Sequence, residues 1–347
     1  MGEGLPLDPS SPQASPFSFH PALARLHARY LEQNSRLAVV ASAGYDPANR
    51  SHFASQDILE TGGVNQAVFT GWINRVLEVL PASQGALVRA MAFRSTVPLS
   101  MRGPEPGAFG VPSTSSVIVP TLVPPVLQPL LARNEATTQA AAGMYGSMGD
   151  ALSVVDLFSQ LDPTLFPPQN GAEYPNNGFA QALREVAVLM RADIGVDVFQ
   201  VELGGWDHHS QIAPRLGDRA AILDGGLGEF MTDLGSEMDD VVVLTLTDFG
   251  REIPQNGSEG TDHGVAQAMF VAGGMVRGGD PGGGAQVHSW SGLSNLDSGR
   301  FLRVAVDFRD VIGEVLVRHL GLSAGDLAQV FPGLVHAPIG LLSLIHI

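Results

Sequence analysis

"VVVLTLTDFG", residues 241–250, is the stretch on which the fold turns. An apolar run of this kind that ends in a carboxylate reads as a strand buried on both faces, as a parallel sheet covered by helices requires. Asp248 stands at its C-terminal end, where open α/β sheets place their ligands. Gly250 and Arg251 follow at once, so the strand opens directly into a polar loop.

Outward from that strand the elements alternate. Upstream, helical spacing predicts a helix over 178–193, a strand over 197–203 and a helix over about 215–238. Downstream come a strand over 268–272, the Gly-rich "GGMVRGGDPGGGA" and a helix over about 309–320. Nearer the N-terminus, Ala22, Leu23, Leu26, Tyr30 and Leu31 recur at helical spacing across 20–33, and "RLAVVASAGY" (36–45) reads as a short buried strand. Ser51 opens a helix that Gly62 and Gly63 close, and 71–80 is a further amphipathic helix. Between these, 94–134 reads as loops and short strands, 135–161 as one long or broken helix, and 167–177 as a linker. The expected architecture is α/β: a mainly parallel central sheet with helices on both faces. One domain over 20–341 is expected, with a loop-rich insertion at about 94–175 and a disordered lead-in over 1–19.

Composition narrows the function classes. The formal charge is −16, from 19 Lys plus Arg against 35 Asp plus Glu, which lacks the electrostatic footprint of nucleic-acid or anionic-membrane binding. There are no cysteines, so disulfides, Cys–zinc sites and thiol nucleophiles are excluded and any metal must be held by oxygen and imidazole. No apolar stretch reaches the roughly 18 residues needed to span a bilayer. Residues 1–16 have neither a basic n-region nor an apolar h-region, so no signal peptide is read there. The last six residues, "LSLIHI", match the conceptual translation of a transposase sequencing adapter, and 342–347 are expected to be a non-native tail.

Three clusters can carry chemistry. In "GGWDHHSQI" (204–212), the period of two along an extended backbone sends Asp207 and His209 to one side, as a metal-site fragment or as a polar turn. In "NRSHFASQ" (49–56), Ser51 is either an ordinary helix N-cap or a hydroxyl beside amide donors and a positive dipole end, where phosphate or sulfate binds and a nucleophile would attack a bound ester. In "LTLTDFGREIPQNGSEGTDHG" (244–264), turn chemistry accounts for "NGSEG", but not for Asp248 at a buried strand's end. Asp262 and His263 supply a second Asp-His pair that can share a site of oxygen and imidazole ligands. "GGDPGGG" fits neither a dinucleotide fingerprint nor a phosphate loop. No Gly-x-Ser-x-Gly elbow supports a serine-hydrolase triad.

Taken in order, "HPALARL", "RLAVVASAG", "RSHFASQDILETG", "GWINR", "YPNNGFAQALREVAVLMRADIGVDVFQVELGGWDHHSQ" and "LTDFGREIPQNGSEGTDHG" resemble successive landmarks of the bacterial family designated domain of unknown function 1501. That family belongs to the alkaline-phosphatase-like (sulfatase) superfamily, and the resemblance runs from about His20 to Gly279. It implies Ser51 as nucleophile, Asp207 and His209 as a ligand pair, Asp248 as the strand-end acid and His263 as the late imidazole. His208 stands where the family usually has Thr, and with Asp262 it is a weaker candidate. Phe249 stands where many superfamily members have His. The family also begins with an export signal, commonly twin-arginine, and a first strand ending in a metal-ligand Asp. Neither is found here, so an N-terminal strand and one ligand are expected to lie outside the chain.

The resemblance implies a periplasmic or secreted enzyme that hydrolyses phosphate or sulfate esters, small or polymer-borne. Divalent ions on Asp207, His209, Asp248 and His263 would activate Ser51, and Arg251 would contact the nonbridging ester oxygens. The mixed carboxylate and imidazole set favours zinc, with manganese, magnesium or calcium as alternatives. The competing expectation is a noncatalytic exported binding or assembly protein on the same fold. Substrate and oligomeric state are not legible in the sequence.

Overall fold

The computed structural model describes residues 4–6, 17–32, 35–82, 86–113, 154, 157–158, 160–278, 287–288 and 290–343. In chain order the elements are β1 (Leu5–Pro6), β2 (Ser18–Phe19), α1 (Ala24–Tyr30), β3 (Leu37–Gly44), α2 (His52–Thr61), α3 (Trp72–Val79), β4 (Ala90–Ala92), β5 (Ala108–Gly110), α4 (Gly178–Arg191), β6 (Val198–Gln200), α5 (Ile212–Leu234), β7 (Val242–Leu244), β8 (Gln267–Gly273), β9 (Val287–His288), β10 (Val306–Asp307), α6 (Phe308–Arg318) and α7 (Ala324–Val330). The chain is a mixed α/β protein with several sheets, one of them parallel.

The larger sheet runs β10-β3-β8-β7, with β9 also pairing β3. Its centre, β3, is the apolar run "LAVVASAG", buried at almost every position. Direction is where expectation and structure part. β3 pairs β10 and β9 in parallel but β8 antiparallel, and β7 also pairs β8 antiparallel. The central sheet is therefore mixed, and the wholly parallel sheet is the smaller one, β5-β4-β6. An apolar run does not encode a strand's direction, which the intervening connection decides, nor its place in the sheet: β7, expected to be buried on both faces, is a half-buried edge strand.

Both faces of the larger sheet are covered, and the period-two alternation along β3 divides them. Ala38 and Val40, with Met269 and Val271 of β8, pack against Phe308, Val311, Ile312 and Val315 of α6 and Leu327 and Val330 of α7. Leu37 and Ala272 face the other way, onto Leu26 and Tyr30 of α1, Leu183 and Val186 of α4, and Leu227, Phe230 and Leu234 of α5. Burying side chains of this size stabilises by about 1.5–3 kcal/mol each. α1 has no cap of its own. Asp224 of α5 supplies one, accepting the amides of Arg25 and Leu26 at 3.1 and 2.8 Å.

Two boundaries differ from expectation at the ends. Within the expected disordered lead-in, Leu5–Pro6 pairs with Ser18–Phe19, and Phe19 is buried. At the other end, Leu341 and Leu342 are buried in the core, and the Leu342 amide donates to Glu314 at 2.9 Å, so packing continues into the expected tail. Residues 344–347, most of the helix expected over 135–161 and the centre of the Gly-rich segment lie outside the described residues. No helix among the described residues is long and apolar enough to cross a membrane.

Candidate metal centre

Three segments far apart in sequence meet on one face. The first is the start of α2, where Ser51 takes an extended conformation as N-cap and His52 is the first helical residue. The second is the turn after β6 that carries Asp207 to His209. The third runs from Asp248, past the end of β7, to His263. The second and third are zipped together by main-chain bonds: Thr261 N–H donates to the His208 carbonyl (3.1 Å), Gln211 N–H to Ser258 (3.0 Å) and Ile212 N–H to Glu259 (2.9 Å). Glycine makes this closeness possible. A Cβ on Gly260 would lie 2.1 Å from the His209 carbonyl carbon, and one on Gly264 would lie 2.4 Å from that of Arg251.

Asp207 is the hub. His209 Nε2 lies 3.0 Å and His263 Nε2 3.2 Å from its Oδ1, and His52 Nε2 lies 3.5 Å from its Oδ2. Arg251 Nη1 donates to Oδ1 at 2.5 Å, and the same guanidinium donates to Thr261. His209 Nε2 and His263 Nε2 are 3.0 Å apart. Around this ring sit the outer acceptors: Asp248 Oδ2 at 2.5 Å from His52 Nδ1, Asp262 Oδ1 at 2.8 Å from His209 Nδ1, and the Arg50 carbonyl at 2.8 Å from His263 Nδ1. Phe249, itself buried, forms an apolar wall, its ring 4.8 Å from that of His52 and 4.6 Å from that of His263.

Charge follows from these contacts. Partial burial works to raise the Asp207 carboxyl, but the Arg251 bond and charge, with His209 and His263 alongside, outweigh it and hold the group below the usual carboxylate value. Bonds from His209 and Asn256 hold Asp262 low in the same way. The side chains remain open to water: Asp207 is 43 % exposed and His52 41 %.

The expected site residues fall into three groups. Asp207, His209, Asp248, Asp262, His263 and Arg251 are brought together. His208 has no side-chain bond to the others: it is buried beside Trp206, where burial, with the charges of Arg251, Arg215 and Arg219, holds its imidazole below the ordinary value. It is not among the ligand atoms that lie within 4.8 Å of one another. Ser51 lies between two members of the site, Arg50 and His52, and its side chain makes no capping bond. His52 is the residue that the sequence reading passed over. The available signal was its position, a metal-competent side chain directly after the candidate Ser51.

His52, Asp207 and His263 offer ligand atoms that all lie within 4.8 Å of one another and could hold a metal ion. The donors are imidazole nitrogens and a carboxylate oxygen, so the set fits a divalent cation. A model of a protein family of unknown function, DUF1501, matches residues 41–331, beyond β8 and through α6 and α7. No curated protein and no solved structure matches the chain significantly. By that family match over most of its length, and with the motifs "GGWDHH" and "DFGRE" lying at the metal cluster, the chain belongs to the DUF1501 family.

Proposed function

We propose that the chain is a metal-dependent hydrolase of phosphate or sulfate esters, related to the alkaline-phosphatase-like enzymes and working in the periplasm or outside the cell. One observation carries this reading: ligand atoms from α2, from the turn after β6 and from the loop before β8 converge within 4.8 Å. A bound divalent ion, zinc above all, would supply positive charge to the ester oxygens and lower the pKa of a nearby hydroxyl.

The chain's own residues do the rest. Ser51 is exposed, its hydroxyl is not committed to a cap, and the first turn of α2 carries no acidic side chain. The positive end of that ten-residue helix is therefore free to attract an anionic ester. Ser51 Oγ forms a bond to phosphorus or sulfur as the ester alcohol leaves with a proton, and water then releases the inorganic anion and restores the serine. Arg251, held by Asp207 and Thr261, presents its guanidinium at the rim of the site and can turn a donor to the nonbridging oxygens.

The test is turnover of p-nitrophenyl phosphate and p-nitrophenyl sulfate by the full chain with added zinc or manganese. Ser51→Ala and a chelator are each expected to lower the rate by roughly 1,000-fold or more. A protein that holds zinc yet gives turnover indifferent to both treatments, or none, is a binding or assembly protein instead.

A further inference from the structure

We infer that the cluster is a single-ion centre of three imidazoles and one carboxylate, in which His52, His209 and His263 bind through Nε2 and Asp248 and Asp262 act as positioning residues. This rests on the metal reading above but departs from the ligand set expected from sequence, in which Asp248 binds the ion directly.

The assignment comes from asking which nitrogen of each ring carries the hydrogen. His263 Nδ1 is 2.8 Å from the Arg50 carbonyl oxygen, which can only accept, so that Nδ1 donates. His209 Nδ1 faces Asp262 Oδ1 at 2.8 Å, and Asn256 donates to that same oxygen at 3.1 Å. An ionised carboxylate can only accept, so this Nδ1 donates too. His52 Nδ1 faces Asp248 Oδ2 in the same relation. The outer acceptors, one on the first segment and two on the third, thus put an Nδ1 hydrogen on the outer side of all three rings.

The consequence lies on the inner side. Each ring turns its Nε2 toward Asp207, at 3.0, 3.2 and 3.5 Å, and the Nε2 atoms of His209 and His263 lie 3.0 Å apart; in neutral rings with Nδ1–H these atoms carry lone pairs. Four electron-pair donors at these separations repel unless positive charge sits among them, and Arg251 reaches only Asp207 Oδ1. The 3.0–3.2 Å separations among Asp207, His209 and His263 suit one ion, and His52 lies within 4.8 Å of Asp207 and His263. A tetrahedron with bonds of about 2.0–2.1 Å has edges of roughly 3.3 Å. Three nitrogens and one oxygen also select zinc or cobalt over magnesium or calcium, which take oxygen ligands. Asp248 and Asp262 then occupy the outer-shell position, from which a carboxylate orients a ligating imidazole.

The experiment is a zinc and cobalt titration of the metal-free full chain by calorimetry and visible absorption, with a long-range nitrogen–proton spectrum of the imidazoles. Expected are one zinc per chain, an intense four-coordinate cobalt spectrum, no competition from magnesium, and Nδ1–H tautomers in the metal-free protein. Asp248→Asn and Asp262→Asn should each weaken zinc roughly 10- to 100-fold while leaving one ion per chain and the cobalt spectrum four-coordinate. His52→Ala and His52→Gln should weaken zinc further and change that spectrum. Two ions per chain, one of them lost in Asp248→Asn, would overturn the single-ion assignment and leave the metal reading standing, as would His52 variants that bind zinc unchanged. A wild-type chain that binds no zinc overturns both, with shared protons then holding the imidazoles together.

Discussion

Two carboxylates anchor two very different places in this molecule. Glu314, on α6, is 1 % exposed and accepts three main-chain amides, from Ile339 (2.8 Å), Gly340 (2.9 Å) and Leu342 (2.9 Å). Asp207 is 43 % exposed, and its partners are three imidazoles and a guanidinium. The donors around Glu314 are neutral, belong to the backbone and have no other use, so that site is complete. Those around Asp207 are side chains that bind ions and anions as readily as they bind one another. What separates structural from functional polarity here is not the carboxylate but whether its partners and water can still exchange.

The comparison predicts opposite responses to mutation. Glu314→Ala leaves three main-chain amides without their partner, that of Leu342 buried and those of Ile339 and Gly340 part-buried, and at about 1–3 kcal/mol for a buried unsatisfied group it should cost on the order of 2–4 kcal/mol in urea unfolding. A cost below about 1 kcal/mol would mean that the 339–342 segment peels away freely, and the contrast would collapse. Gly260→Ala comes next. Its Cβ would meet main chain at His209 that cannot rotate aside, so a loss of about 1–3 kcal/mol is expected together with weakened zinc binding. Gly257→Ala, whose Cβ meets open space, is the matched control and should change neither.

A smaller effect should appear with pH in the closed region. Burial holds the His319 imidazole below its ordinary 6.5 despite Asp240 nearby. The folded state therefore binds this proton less readily than the unfolded chain. The stability it contributes is complete above about 6.5 and is lost as pH falls toward the folded-state value. His319→Gln should flatten the melting temperature against pH below 6.5, and parallel curves for the two proteins would remove the claim. Smallest in stability is Asp207→Asn: exposed pairs contribute little, so the change at neutral pH should stay within about 1 kcal/mol while zinc affinity collapses. Were unfolding to shift as far as in Glu314→Ala, Asp207 would belong with the structural carboxylates.

Legibility in the sequence followed length and locality. The 14-residue α4 and α6 are readable because each repeats the helical period several times, and the eight-residue β3 because it is one continuous apolar run. β4 and β6, at three residues each, are too short for a period to declare itself, and β6 was expected to run from 197 to 203. α7 escaped notice although Ser323 and Asp326 form a capping box at its start. In the centre, Asp207, Asp248 and His263 could be singled out because a carboxylate at a strand end, or an Asp-His pair, is a local anomaly. His52 offers only its position next to Ser51. Its meaning lies in a bond to Asp248, 196 residues away, and no pattern within one segment encodes that.

That distance sets an order of events during synthesis. The His263 ring is tied to a carbonyl 213 residues earlier, so the inner ring cannot close until the third segment has left the ribosome and the loop between has been gathered in. Tight zinc affinity should therefore arise late, after β3 and β8 have paired. Ion capture would mark the finished fold, and a chain stalled short of residue 263 would lack β8, β9 and β10, every strand that pairs β3, together with the last imidazole of the centre.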